Sequence, residues 1–175
     1  MKANIISGKG RLALVVGLCC IIALAVVAAF FLFAGNKDRV VGKNIAKEEI
    51  TEFYYTEDSS TNPPRFLRYR FYTEDGSYWF YHEKREGNHW PLTESDITVS
   101  GAMKLTEEEW AKFFDYLNGG KVTGRGANTD TGNAGPWLYL YWNVDRSKFQ
   151  EFSLAAYETR ISFAAFCAEL AQRCQ

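Results

Sequence analysis

Hydrophobic and polar positions divide the chain into one unbroken apolar run and a longer stretch of alternating and helical patterns. The run covers residues 12–34 (LALVVGLCCIIALAVVAAFFLFA), 23 positions without a charged or strongly polar side chain. At helical rise it would extend about 34 Å, enough for a hydrocarbon core of about 30 Å. A helix satisfies every backbone group there, so we expect a transmembrane helix at 12–34, preceded by a basic tail at 1–11. Residues 35–49 (GNKDRVVGKNIAKEE) read as a polar juxtamembrane linker, and 50–175 as one globular domain.

Within that domain, residues 50–56 (ITEFYYT) are rich in β-formers and predict a strand. Two aromatic runs, FLRYRFY and YWFYH, then flank Asp75-Gly76, a favoured two-residue hairpin turn. With those two residues as the loop, Phe71 pairs with Phe80, Arg70 with Tyr81, Tyr69 with His82 and Arg68 with Glu83. Alternation puts Leu67, Tyr69, Phe71, Phe80 and His82 on a core face. The opposite face receives Arg68, Arg70, Tyr72, Trp79, Tyr81 and Glu83. Residues 96–103 (DITVSGAM) make a fourth strand, with Ile97, Val99 and Met103 on one side.

A helix follows with strong punctuation. Thr106 is its N-cap, Glu109 completes a capping box, and Leu105 against Trp110 forms a hydrophobic staple. Trp110, Phe113, Phe114 and Leu117 recur at helical spacing, so one face packs on the sheet. Asn118-Gly119-Gly120 ends it. Residues 121–135 read as a loop of Gly, Asn and Thr, and 137–143 with 148–154 as a second hairpin. The last segment, 161–173, predicts a second amphipathic helix with Phe163, Phe166, Cys167, Leu170 and Cys174 on one stripe. The order β-β-β-β-α-β-β-α predicts an α+β domain, an antiparallel sheet of about six strands with both helices on one face.

Charge adds two constraints. Lys2, Lys9 and Arg11 precede the apolar run and no acid does, leaving 17 basic against 21 acidic residues beyond it. That mild acidity argues against a nucleic-acid partner, which calls for a basic stripe. Lys37, Arg39, Lys43 and Lys47 follow the run closely, so the flanking charges nearly balance. The acid-free basic N-terminus is that of a signal-anchor, which places the domain outside the cytoplasm. A run of this length exceeds the roughly 7 to 15 residues of a cleaved signal peptide's apolar region.

The candidate chemistry is sparse. Cys19 and Cys20 lie in the apolar run, and Cys167 and Cys174 would stand about 10 Å apart along a continuous helix, beyond disulfide reach. His82, Glu86 and His89 are the one cluster with metal-ligand chemistry, but a zincin needs both His on one helix face, and this segment starts on a strand. Gly119-Gly120-Lys121 and Gly124-Arg125-Gly126 follow a helix rather than a strand and lack the remaining residues of phosphate-binding loops. No G-x-S-x-G occurs, and the carboxylates Glu107 and Glu109 are accounted for by helix capping.

What remains is the second hairpin face. Arg68, Arg70, Tyr72, Trp79 and Tyr81 are of the types that dominate binding hot spots, although cross-strand pairing for stability uses the same residues. The sequence therefore predicts a single-pass membrane protein whose domain is a binding or accessory module for a protein, peptide or glycan, without catalysis or cofactor. The competing expectations are an extracytoplasmic hydrolase or metal-dependent enzyme built on His82, Glu86 and His89, and an inward-facing domain with a cytoplasmic role.

Overall fold

The computed structural model describes residues 39–124, 136–143 and 150–174. The transmembrane helix expected at 12–34, its basic tail, the first linker residues and most of the loop at 121–135 lie outside the described residues. No helix among the described residues is long and apolar enough to cross a membrane.

The hairpin forms in the register its turn dictates. β2 (Ile50–Ser59) pairs antiparallel with β3 (Arg65–Glu74), and β3 with β4 (Ser77–Glu86). Asp75 and Gly76 both adopt positive φ, 49° and 68°, as a type I′ turn requires. Phe71 faces Phe80, Arg70 faces Tyr81, Tyr69 faces His82 and Arg68 faces Glu83. β5 (Ile97–Lys104) continues the sheet on the far side of β4.

α1 (Glu107–Leu117) starts with the predicted capping box. The Thr106 hydroxyl accepts from the Glu109 amide at 3.2 Å, and the Glu109 carboxylate accepts from the Thr106 amide at 2.8 Å. Leu105 and Trp110, the staple pair, are both buried in the core. α2 (Tyr157–Arg173) begins one turn earlier than its apolar stripe and buries Phe163, Phe166, Cys167 and Leu170.

Two strands lie where the sequence predicts none. β1 (Arg39–Val40) falls in the stretch read as linker and pairs with β6 (Lys121–Gly124), in the stretch read as loop. β7 (Trp137–Trp142) and β8 (Gln150–Ser153) form the second hairpin, and β6 pairs with β8. Among the described residues the result is α+β, with two helices and an eight-stranded antiparallel sheet in the order β1-β6-β8-β7-β2-β3-β4-β5. The expectation of about six strands fails because β1 and β6 are too short for a periodic signal. Tertiary contacts hold them. Val41 and Ile45, in the supposed linker, are 1% exposed, and the Val41 amide donates to the Gly120 carbonyl at 3.0 Å. A Cβ on Gly120 would sit 2.2 Å from the Phe152 ring, so glycine is the residue that allows this approach.

Both helices cover one side of the sheet. Phe71 stacks on Phe113 of α1 with centroids 4.1 Å apart and planes within 7°. Phe53 packs edge-on to Phe113 and to Phe163 of α2, each at 5.5 Å. Tyr116 of α1 lies against Phe163 and Phe166, joining the helices to each other. Each fully buried ring contributes about 1.5–3 kcal/mol by removal from water, so this cluster is the main stabilising feature. Phe71→Ala is expected to cost about 3–5 kcal/mol in urea unfolding. Tyr72→Ala, next along the strand but on the other face, is expected to cost about 1 kcal/mol. Equal losses at the two positions would contradict the two-sided reading of the sheet.

Candidate functional site on the open sheet face

The face of the sheet opposite the helices gathers the residues that alternation turned away from the core. β3 and β4 supply Arg68, Arg70, Tyr72, Trp79, Tyr81 and Glu83, as the hairpin pattern predicts. β2 adds Glu52, Tyr54 and Thr56, whose cross-strand partners are Tyr72, Arg70 and Arg68. On the other side of β2, β7 adds Trp137, Tyr139 and Tyr141 opposite Thr56, Tyr54 and Glu52. The sequence contains this second half in the alternation of ITEFYYT and WLYLYW. What it lacks is the order of the strands: paired residues of β2 and β7 stand more than eighty positions apart, and no local turn joins them.

The charges on this face are locked to one another. Glu52 is 4% exposed, and its Oε1 accepts from the Arg70 Nε and, at 2.6 Å, from the Tyr54 hydroxyl. Glu83 is also 4% exposed; it accepts from the Tyr81 hydroxyl and from Arg85, both at 2.7 Å, and lies 3.7 Å from Arg68. Arg70 lies over the Tyr72 ring at 4.2 Å, and Arg68 over Phe66 at 4.9 Å and Tyr54 at 5.5 Å. Planar guanidiniums thus roof the two carboxylates while their own flat faces rest on aromatic rings.

Burial and the hydrogen bond to Glu52 push the Tyr54 phenol up to about 12; burial and Glu83 do the same to Tyr81. Both hydroxyls therefore remain protonated donors near neutral pH, suited to orienting carboxylates rather than to attacking a substrate. Tyr72 and Trp79 lie nearly parallel, 16° apart with centroids 6.4 Å apart, and both are partly exposed. The arrangement is a half-exposed aromatic surface on a charge-paired base.

The metal candidates do not converge. His82 sits on the helix-bearing side, 3% exposed and stacked near Phe80 at 6.3 Å. Glu86 ends β4 and pairs with Lys84. His89 is largely exposed and meets Asp96 at 3.0 Å. No group of three or more His, Cys, Asp or Glu among the described residues is placed to hold a metal ion. The strand explains this separation: His82 and Glu86 share a face, but His89 lies past the strand end, where residues 90–93 turn away. Cys167 and Cys174 are free thiols. Cys167 is fully buried, which pushes its thiol well above the ordinary cysteine range.

Comparison with known proteins adds no identity: no family model, curated protein or solved structure shows significant similarity to this chain.

Two predictions follow from these placements. Arg70→Ala leaves the buried Glu52 carboxylate without its cationic partner and is expected to cost about 1–3 kcal/mol in urea unfolding. A loss no larger than that of an exposed-lysine variant would refute the locked-pair description. His82 Nε2 is buried without a hydrogen-bond partner, and burial lowers the ring below its usual 6.5. Below that pH the unfolded chain binds more protons than the folded one, so stability is present above about 6.5 and declines as the pH falls. The expected slope reaches at most about 1.4 kcal/mol per pH unit. His82→Phe removes this component, so urea midpoints at about pH 7.5 and about pH 5.5 should differ less in the variant than in the parent.

Proposed function

We propose that the chain is a single-pass membrane-anchored binding module whose domain lies outside the cytoplasm and whose open sheet face docks a protein partner. The membrane half of this reading is supported by residues 12–34, an apolar run of spanning length behind a basic, acid-free start. The binding half is carried by one observation: a row of partly exposed Tyr and Trp side chains opposite the helical layer, on strands whose charges are already paired. An open sheet face suits another protein's surface better than a small molecule, and its Trp, Tyr and Arg content is that of interface hot spots. Because the buried carboxylates are internally satisfied, partner affinity on this reading rests on the rings of Tyr72, Trp79 and Tyr81, while Arg68 and Arg70 hold those rings in place.

The test pairs topology with contact. A protease added to intact cells should cleave the domain of the full chain, and carbonate washing should leave the chain in the membrane; protection until lysis would place the domain inside. A photo-crosslinking residue at Tyr81 should give a discrete adduct in cells, and the Tyr72→Ala/Trp79→Ala variant should reduce it at least about tenfold, a loss of about 1.4 kcal/mol in affinity. Adducts from Tyr81 no more abundant than those from Glu108 on the exposed side of α1 would overturn the binding reading.

A further inference from the structure

We propose that a cleft at the end of the sheet, beside the first turn of α2, binds a small organic monocarboxylate with an apolar body. The cleft encloses about 440 Å³ and is formed by the end of β2, the start of β3, Lys84, Pro136 and Arg160. That volume falls within the roughly 300–1,000 Å³ of small-molecule sites. The register explains its position. Ser59 pairs with Arg65, Glu57 with Leu67, and Leu67 with Lys84, so these side chains project on the helix-bearing side of the sheet. At this end the strands reach the first turn of α2, whose Tyr157 and Ile161 are 66% and 58% exposed. A concavity remains between strand ends and helix start.

The chemistry of its lining is selective. Glu57 accepts from the Tyr55 hydroxyl at 2.7 Å, and Lys84 is paired with Glu86. Arg65 and Arg160 come from different elements to the same cleft, and among the described residues neither has a carboxylate within ion-pair distance. Two planar guanidiniums facing one cavity match the forked geometry of a carboxylate. Leu67 and Pro136 offer apolar surface for the rest of the ligand. Glu57 stands in the wall on the same side, whereas the Asp58 side chain, one residue on, alternates to the other face of the sheet. With Lys84 paired to Glu86, the two arginines against Glu57 leave one positive charge in excess, which a single carboxylate neutralises and a doubly charged phosphate exceeds. The proposal is independent of the open-face reading, and each can fail without the other.

The probe is N-acetylphenylalanine against its uncharged amide, titrated by saturation-transfer NMR into the full chain in nanodiscs. The double variant in identical nanodiscs corrects each compound for its own partitioning into lipid. The expected result is at least about tenfold tighter binding of the acid than of the amide, a preference abolished in Arg65→Gln/Arg160→Gln. Both arginines are exposed, so the variant retains the fold, which an unchanged melting temperature verifies. Equal binding of acid and amide, a preference that survives in the double variant, or no binding of the acid up to about 10 mM would overturn the proposal.

Discussion

The rest of the molecule depends on Phe53, Phe71 and Phe80 being buried together beneath Phe113 and Phe163. Side chains on a strand alternate strictly, so committing these rings to the helix-bearing side commits every neighbour to the other. A one-residue slip of β3 against β4 would bring Tyr72 and Arg70 into the core and expose Phe71. The stacked contact between Phe71 and Phe113 therefore does more than contribute burial energy. It fixes the register, and the register produces the open face.

That face resolves a conflict between burial and charge. Glu52 and Glu83 are almost wholly removed from water although they lie opposite the hydrophobic core. Unpaired, each would carry a large desolvation penalty; here each accepts hydrogen bonds from an arginine and a tyrosine. The arginines in turn lose water on one side and rest on rings. The network pairs the buried charges of the face, so on the proposed reading recognition rests on the rings of Tyr72, Trp79 and Tyr81. Arg70 is thus better understood as a support than as a contact, since its guanidinium is spent on Glu52.

The same sheet ends differently at its two sides. Toward β1 and β6, short strands are held by single close approaches such as Gly120 against Phe152. At the β2–β3 end, the strands meet the start of α2 at a cleft whose two arginines have no carboxylate partner among the described residues.

By itself the sequence determined whatever is decided between near neighbours. Asp75-Gly76 set the hairpin and its register, Thr106 and Glu109 set the start of α1, and the spacing of Phe163, Phe166 and Leu170 set the buried stripe of α2. The α+β class and five residues of the candidate face, Arg68, Arg70, Tyr72, Trp79 and Tyr81, were legible for the same reason, because turn chemistry and alternation are local. Only the tertiary structure decided the strand order, the two-residue β1, the short β6 and the contribution of Glu52, Tyr54, Tyr139 and Tyr141. Pairing between β2 and β7 depends on which surfaces remain unburied once the local elements have formed, and that is a property of the whole chain. His82, Glu86 and His89 make the complementary case: close in sequence, they are separated because a strand of fixed alternation sends one into the core while a turn carries another away.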